Sequence, residues 1–405
     1  MEKELIRELF SPVFEQELLE EVIQYPVLTV NCKMKFDDKG VASISHIPLV
    51  VKGSMRAIEY DEDGEEVLIY NINPGQSCIL SITYAKNNKI PAFSGRVNEE
   101  SSVLLIPKDT ANQWFEKYST WRDFTISLYD HRLSELLSQH KTVKQQTKKI
   151  EKQSRQITDS IHYAKRIQSA ALPPAEYMES LLPEHFIYYV PRDIVSGDYY
   201  WMTRIENKTI VVVADCTGHG VPGAFMSMLG ISLLNQLVTD KALKPANEIL
   251  NNLRDNVKRS LWQTGKNDET KDGMDLALIV FDFDTHKLEY AGAYNPLIFI
   301  RNNQLTEIKA DRMPIGVFLK DDKDFTRHEH DFNKGDVIYA FSDGFADQVG
   351  GEQKRKFMSR KFKDLLFEIH QKPMIVQKQI LEETFETWMG NNEQVDDILV
   401  FGIRI

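Results

Sequence analysis

A long stretch without glycine or proline separates an N-terminal part of this sequence from a C-terminal part. Residues 126–173 contain no glycine, and no proline before Pro173. Within it, an apolar or small residue recurs at every seventh position: Tyr129, Leu136, Val143, Ile150, Ile157, Ala164 and Ala171. A heptad repeat sustained over this length is typical of a coiled coil. We therefore expect a helical linker over 126–173, with one domain before it (1–125) and another after it (174–405).

The second seam of the repeat is polar in its middle. Leu133 and Ile161 flank His140, Thr147 and Ser154. Such a seam predicts a weak coiled coil, and weak association suits a helix that transmits a signal. We expect the linker to join two copies of the chain in a parallel homodimer. The alternative is a single solvated helix between two domains.

The composition is that of a globular protein. The 405 residues are 42% hydrophobic and 27% charged, and the net charge is −11. This acidic balance argues against a nucleic-acid binder that relies on a general basic surface. No apolar run approaches the roughly 20 residues that span a bilayer, and the N-terminus lacks the apolar core of a signal peptide. We expect a cytoplasmic protein with no membrane span and no nucleic-acid partner.

The cysteines do not suggest a disulfide or zinc framework. Cys32, Cys78 and Cys216 form no CxxC or related spacing. Reduced thiols are expected, and the simplest expectation is that all three are small buried side chains.

The N-terminal part is predicted to be rich in β-structure. Short apolar runs at 27–30, 47–51, 67–72, 78–83 and 103–106 read as strands, with turn signals at 38–40, 62–64 and 73–75. A helical segment follows from Lys108 onward. Many short strands at this spacing indicate a sandwich or a small barrel.

Residues 46–81 and 101–115 resemble the β-roll of cyclic-nucleotide-binding regulators of the Crp/Fnr type. That family pairs a Gly-Glu with a later Arg-Ala that holds the cyclic phosphate. Here the first pair is Gly75-Gln76, Pro91 to Phe93 falls near the place of the arginine, and Arg96 is out of register. Without a bidentate guanidinium the phosphate loses its partner. We expect a sensor fold whose ligand is unknown or absent; the alternatives are a working nucleotide pocket, or Cys78 as a redox or haem contact.

The C-terminal part alternates strands with longer amphipathic helices. Predicted strands lie at 187–190, 209–214, 277–283, 288–291, 297–301, 336–342 and 398–404, and predicted helices at 223–239, 245–261, 360–370 and 376–389. This mixture predicts an α/β sandwich. The fold class is thus multidomain: an N-terminal β-roll with helices, a helical coiled-coil linker and a C-terminal α/β sandwich.

Aspartates recur at the ends of these strands. They are Asp198 in SGDYYW, Asp215 after 209–214, Asp343 before Gly344, and the pair Asp396 and Asp397 before the last strand. One such acid is usually a turn former or a helix cap. Several together suit Mg²⁺ or Mn²⁺, which prefer oxygen ligands. Two such ions ~3.5–4 Å apart generate a hydroxide and clamp a phosphoryl group.

The motifs around these acids, read together, resemble one family. They are SGD at 196–198, ADCTGHGVPGA at 214–224, FSDG at 341–344 and VDDI at 395–398, preceded by SIHYAKRIQSAALPP at 160–174. All are similar to the SpoIIE/RsbU-like branch of the metal-dependent (PPM) serine/threonine phosphatases. The resemblance implies that Asp215 bridges two metal ions and that the Cys216 carbonyl joins the second. It further implies that Asp343 and Asp396 bind the first ion and that Asp198 holds or orients waters on the second.

The resemblance also implies the reaction and its substrate class. A bridging hydroxide attacks a protein phosphoserine or phosphothreonine in line, without a phosphoenzyme. In this branch the substrate is commonly an anti-sigma-factor antagonist. The alternative from another class is a catalytically silent module that binds a phosphoprotein. A transcription factor is a third option, but no helix-turn-helix follows the β-roll.

Several positions depart from the family or have a secondary role. Trp201 stands where the family often has an acid, and Tyr294 lies in the run where the family commonly has a histidine. His219 could protonate the leaving oxygen, although a hydrogen bond within its turn is the simpler expectation. Asp272 and Asp275 could reach a third ion, although capping a loop is the simpler expectation.

Overall fold

The computed structural model describes residues 2–32, 35–36, 45–87, 93–238, 244–264, 271–318 and 323–405. The predicted turn at 38–40, Pro91 and the end of the predicted helix at 239 lie outside these residues. The chain divides into two compact units, Met1–Glu151 and Lys152–Ile405. No described helix combines the length and the apolar character needed to cross a membrane.

The N-terminal unit contains short strands and several helices. Its elements are α1 (Glu2–Phe10), α2 (Gln16–Val22), β1 (Val27–Val30), β2 (Lys35–Phe36), β3 (His46–Lys52), β4 (Met55–Tyr60), β5 (Glu66–Ile72), α3 (Ile79–Asn87), β6 (Ser94–Val97), β7 (Ser101–Pro107), α4 (Lys108–Lys117) and the first part of α5 (Ser119–Ala171). One sheet has the order β1-β7-β3 and the other β2-β6-β4-β5. The predicted β-rich organisation is present.

Two apolar clusters stabilise this unit. One lies between the two sheets and includes Val50, Val103, Met55 and Tyr70. The other buries the inner faces of α1, α2, α4 and the start of α5 against β3 and β7. It is rich in aromatic side chains: Phe10, Phe14, Trp114, Trp121 and Phe124. Such rings bury large areas, so the helices are an integral part of the unit.

The strand predicted at 78–83 is wrong, because residues 79–87 form helix α3. Helical spacing places Ile82 and Ala85 in the aromatic-rich cluster, while Cys78 contributes to the cluster between the sheets. The apolar and β-branched residues of this run favour a strand locally, but the tertiary packing of the helix outweighs that preference. The expectation of three buried cysteines also fails for Cys32, which is exposed; Cys78 and Cys216 are buried, and all three are free thiols.

The linker region is helical, as predicted, and forms part of a longer helix. Helix α5 begins at Ser119 and ends at Ala171. Its apolar seam residues Leu136, Val143, Ile150 and Ile157 are 47%, 58%, 65% and 62% exposed. The helix is confirmed; its pairing in a coiled coil and the predicted domain limits stay predictions.

The C-terminal unit contains two five-stranded antiparallel sheets with helices. After α5 come α6 (Ala175–Leu181), β8 (His185–Val190), β9 (Tyr199–Ile205), β10 (Lys208–Cys216), α7 (Gly220–Leu237), α8 (Ala246–Ser260), β11 (Met274–Asp282), β12 (Lys287–Ala293), β13 (Leu297–Arg301), β14 (Gln304–Ile308), β15 (His328–Asp331), β16 (Val337–Phe341), α9 (Gly344–Asp347), β17 (Val349–Gly350), β18 (Arg355–Lys356), α10 (Ser359–Ile369), α11 (Met374–Met389) and β19 (Ile398–Arg404). The sheets have the orders β15-β12-β11-β10-β9 and β14-β13-β16-β19-β8.

Alternation along the strands builds the layers of this unit. In β10, Val211 and Val213 pack between the sheets against residues such as Leu399 and Phe401. Ile210 and Val212 face the opposite way, toward α7 and α8. The outer face of the second sheet similarly packs on α10 and α11. Because strand side chains alternate between faces, one apolar run serves two cores, and the predicted α/β sandwich is confirmed. The predicted strands do not include β9, β14, β15, β17 or β18.

Candidate active site

The acids of the C-terminal unit come from four separate segments. Asp198 immediately precedes β9, Asp215 lies near the end of β10, Asp343 precedes α9, and Asp396 precedes β19. Burial raises the pKa values of Asp198, Asp215 and Asp343, and the charges of neighbouring acids of this group raise them further, which places the side chains in one neighbourhood. All four predicted carboxylates therefore belong to a single acidic site.

Asp198 is the most deeply buried of these acids. Asp198 is 1% exposed, and its Oδ2 has no hydrogen-bond partner within the part of the chain that the structure describes. Burial raises the pKa of this carboxyl well above its ordinary value, and the charge of Asp215 raises it further. A buried carboxylate oxygen without a partner is costly. Its presence here indicates a position prepared for a ligand outside the chain.

Asp215 lies beside a further acid, Asp275, for which capping of a loop is the simpler expectation from the sequence. In the register of β10 and β11, Asp215 is directly opposite Asp275. Burial and the charge of Asp343 raise the pKa of Asp215, and burial raises the pKa of Asp275 to about 7. The expectation that Asp275 caps a loop is wrong, because it lies within a strand and faces the acid cluster. Asp272 lies in the loop before β11, where its carbonyl accepts a hydrogen bond from Gln263.

Asp343 is brought to the site by a close backbone contact. A Cβ on Gly344 would lie 1.9 Å from the carbonyl oxygen of Asp397, so only glycine permits α9 to begin against the turn that carries Asp396. Asp343 precedes α9 but makes no capping hydrogen bond with its side chain. Burial, followed by the charge of Asp347, raises the pKa of Asp343.

Cys216 is the last residue of β10 and is buried. Burial raises the pKa of its thiol, which disfavours a nucleophilic thiolate. Its backbone is close to the loop that carries Asp198, since a Cβ on Gly197 would lie 3.3 Å from the Cys216 carbonyl oxygen. The backbone oxygen, which the resemblance singles out, is therefore near the acid cluster.

Asp397 has a structural role that sequence reasoning missed. Its Oδ1 accepts the backbone N–H of Arg192 and its Oδ2 that of Gly197, both at 2.7 Å. Asp397 thus holds the loop between β8 and β9, whereas its neighbour Asp396 belongs to the acid cluster.

His219 lies at an exposed position in the turn before α7. Its Nδ1 is 2.7 Å from Oδ2 of Asp193, and the two side chains are 45% and 46% exposed. The expected hydrogen bond within the turn is not the one observed, because the partner Asp193 lies in the loop between β8 and β9. No local pattern points to Asp193 as the partner, since the two residues are 26 positions apart.

The positions that depart from the family pattern do not add acids to the site. Trp201 is 4% exposed and packs in the cluster beneath α7 and α8, where its indole N–H donates to Asn235. Tyr294 follows β12 with a positive φ of 55° and is partly exposed.

The donor set fits hard divalent cations. Within the described residues, no group of three or more His, Cys, Asp or Glu side chains is arranged so that together they could hold a metal ion. Mg²⁺, however, keeps several of its waters and is usually held by one or two carboxylates. An open cluster of carboxylates with an unpaired buried oxygen and a nearby backbone carbonyl matches that requirement.

Comparison with known proteins identifies the class of this fold. The SiaA-PP2C domain of Pseudomonas aeruginosa is 32% identical, with a TM-score of 0.56; the match covers 62% of this chain and 98% of that domain. The C-terminal unit therefore has the fold of a PP2C-type phosphatase domain.

The family follows from the same region. Residues 205–405 match the family described as stage II sporulation protein E, SpoIIE, so the C-terminal unit contains a domain of this family. A 200-residue stretch is 26% identical to the phosphoserine phosphatase RsbU of Bacillus subtilis (strain 168), covering 47% of this chain and 55% of RsbU. The chain thus spans about half the length of that relative.

Proposed function

We propose that the protein is a metal-dependent protein serine/threonine phosphatase. The observation that carries the proposal is the cluster of Asp198, Asp215, Asp343 and Asp396 in a SpoIIE-family domain, in which Asp198 is buried, Asp215 and Asp396 are half-buried and Asp343 is exposed. At least three of these carboxyls have pKa values raised by burial and by one another's charge. Like charges gathered in a protein interior are unfavourable unless a cation offsets them, which supports a cation-dependent role.

In this proposal, two Mn²⁺ or Mg²⁺ ions occupy the cluster. Asp215 would bridge both, Asp343 and Asp396 would hold the first, and Asp198 with the Cys216 carbonyl would serve the second and its waters. Such ions, when bound, activate water as a nucleophile and neutralise phosphoryl charge. The chain's own part is to hold these oxygens in place around the buried Asp198.

His219 is the candidate for proton transfer to the leaving serine oxygen. Its Nδ1 contact with Asp193 orients the ring, as a carboxylate orients a catalytic imidazole. With Nδ1 protonated, Nε2 is the nitrogen available for exchange with a substrate. The exposure of the pair is consistent with a protein substrate rather than a small molecule enclosed in a pocket.

The proposed substrate is a phosphorylated regulatory protein, such as an anti-sigma-factor antagonist. RsbU is named a phosphoserine phosphatase, and its similarity to the catalytic region supports this substrate class. The direct test is Mn²⁺-dependent phosphate release from a phosphoserine protein by wild type, Asp215→Asn and Asp343→Asn. We expect each variant to lose at least about 100-fold in activity, the scale for removing a preorganised charge-stabilising group.

Asp364→Asn, an exposed acid on α10, is the matched control and should retain wild-type activity. Full activity in both Asp215→Asn and Asp343→Asn would contradict the proposal. If calorimetry with the wild type detects no Mn²⁺ binding, a silent phosphoprotein-binding module becomes the better description.

The N-terminal unit is proposed to be a sensor of the Crp/Fnr type without a working cyclic-nucleotide pocket. Arg96 is 5% exposed and donates to Glu66, to the Gly95 carbonyl and to Tyr60, so its guanidinium is already engaged. A cavity lined by residues such as Met55, Cys78 and Val103 has a volume of about 30 Å³. This is room for little more than water, far below the ~300 Å³ or more of typical ligand sites.

The exposed apolar seam of α5 supports the proposed parallel homodimer. Seam residues Val143, Ile150 and Ile157 are more than half exposed in the single chain, and a second copy would cover them. We expect light scattering to give twice the monomer mass for wild type and the monomer mass for Ile150→Asp/Ile157→Asp. Gln153→Asp, which lies off the seam, should remain dimeric. A wild-type mass equal to one chain would refute the coiled-coil dimer.

A further inference from the structure

Gln168, near the end of α5, makes an unusual set of contacts for a helix side chain. It is 5% exposed. Its Nε2 donates to the backbone carbonyl of Ser196 at 2.6 Å and to Oγ of Ser227 at 2.8 Å. Its Oε1 accepts the backbone N–H of Ser196 at 3.1 Å. The carboxamide therefore binds both backbone groups of one residue, as a neighbouring strand would.

Ser196 lies two residues before Asp198, and the two are directly linked. The N–H of Asp198 donates to Oγ of Ser196 at 3.0 Å. The N–H of Gly197 donates to Asp397, and the Asp198 carbonyl accepts from the hydroxyl of Tyr189 at 3.2 Å. Residues 196–198 precede β9 and lie outside the sheet ladder. Side chains, rather than strand pairing, thus set the position of the Asp198 backbone.

The burial of Gln168 is informative because most of its helix is solvated. Residues 152–160 of α5 are all exposed. A buried carboxamide is costly unless its donors and acceptor are bonded, and an apolar residue would fill the same space without that requirement. The bonds to Ser196 account for an amide at this place.

We propose that Gln168 is a positioning residue of the active site: through Ser196, the end of α5 holds Asp198 where it serves the metal-binding cluster. The expected effect of Gln168 on catalysis rests on the proposed function. The statement that Gln168 orders residues 196–198 does not depend on it. It also makes the end of α5, the helix that carries the linker, a part of the active site.

The experiment compares wild type with Gln168→Met, which keeps the side-chain length but removes the hydrogen bonds, in the full-length protein. Gln153→Met, at an exposed position of the same helix, is the matched control. Ser227→Ala removes one bond of the amide but leaves both bonds to Ser196. Three readouts are taken: amide hydrogen exchange at 192–198 and at 398–404, Mn²⁺ affinity by calorimetry, and kcat and KM with a phosphoserine protein at saturating Mn²⁺.

In Gln168→Met we expect exchange at 192–198 to accelerate by about 10-fold, as for the loss of one to two kcal/mol of hydrogen bonding, with exchange in β19 (398–404) unchanged. Mn²⁺ affinity should fall by about 10–100-fold, the range seen when a partner that orients a metal ligand is removed. Much of kcat should return at saturating Mn²⁺. Gln153→Met should match wild type, and Ser227→Ala should show a smaller change.

Unchanged hydrogen exchange at 192–198 in Gln168→Met would overturn the inference. Exchange that accelerates as much in β19 as at 192–198 would also overturn it, because it would indicate general destabilisation. If 192–198 is loosened but Mn²⁺ affinity stays within twofold of wild type, the proposed link to the metal-binding cluster is wrong. If wild-type protein neither binds Mn²⁺ nor releases phosphate, the proposed function fails, and hydrogen exchange alone then decides whether Gln168 orders the loop.

Discussion

The N-terminal unit pairs its buried cation Arg96 with an anion, whereas the C-terminal unit gathers carboxylates of one sign around the buried Asp198. In the N-terminal unit, the guanidinium of Arg96 donates to Glu66, to Tyr60 and to a backbone carbonyl. In the sandwich, Asp198 leaves Oδ2 without a partner, and the charge of Asp215 adds to its burial in raising its pKa. A paired buried charge supports the fold, whereas an unpaired cluster is tolerated where a ligand completes it.

The same contrast occurs within the C-terminal unit. Asp397 is buried, but both of its oxygens accept backbone N–H groups, whereas Asp198 has an oxygen without a partner. Two aspartates of similar burial thus differ in their bonding: Asp397 holds a loop with both oxygens, and Asp198 keeps one oxygen without a partner among the described residues. Burial by itself does not separate them; their hydrogen-bond partners do.

The sharpest test of this contrast is the pair Asp397→Ala and Asp198→Asn. Asp397→Ala should lower the free energy of unfolding by about 3 kcal/mol, because two charge-assisted hydrogen bonds are lost and two buried N–H groups are left unsatisfied. Asp198→Asn should change it by less than about 1 kcal/mol, or raise it, since repulsion with Asp215 is relieved. Urea unfolding without added metal measures both. Equal losses of unfolding free energy for the two substitutions would show that Asp397 and Asp198 do not differ in their contribution to stability.

A smaller effect is expected in the N-terminal unit. Arg96→Met should lower the free energy of unfolding of that unit by about 2 kcal/mol, because it removes the buried guanidinium from its ion pair with Glu66. Glu66 is itself partly exposed, which keeps the loss below that for a fully buried pair. Arg56→Met is the matched control: Arg56 also pairs with Glu66 but is 43% exposed, so its loss should cost less than about 1 kcal/mol. Hydrogen exchange across β4–β6 reports the change. Similar losses of stability in the two variants would show that the burial of Arg96 does not add to the stability of the N-terminal unit.

The smallest effect concerns Glu21, whose oxygens accept from Lys117, Tyr118 and Trp114. Hydrogen bonds from Lys117 and then Tyr118 lower the pKa of Glu21 below its ordinary value of 4.5. The charged form is thus favoured by folding. Its contribution is present above pH 4.5 and is lost as the pH falls through the lowered pKa.

Glu21→Gln should therefore destabilise the protein by about 0.5–1 kcal/mol at pH 7, the scale of a partly exposed ion pair. The difference from wild type should shrink as the pH falls below about 4. Urea unfolding at a series of pH values measures it. A difference that grows toward low pH would contradict the direction of the pKa shift.

The amino-acid sequence alone determined the α/β sandwich and the identity of the acids. Alternating apolar runs such as 209–214 predict strands because the period of a strand fits two packed faces. Asp198, Asp215, Asp343 and Asp396 were recognised because each lies in a short motif at a strand end. The heptads likewise predicted the helix of the linker. These are local patterns, which a sequence records directly.

The tertiary structure decided everything that depends on partners distant in the chain. Helix α3 replaced a predicted strand because its apolar residues pack into two clusters built by remote elements. The opposition of Asp275 to Asp215 follows from strand register, and the roles of Asp397, Asp193 and Gln168 follow from contacts across 26 to 205 positions. Hydrogen bonds and repulsion act over a few ångströms in space. Separation along the chain does not reveal which groups folding brings within that distance.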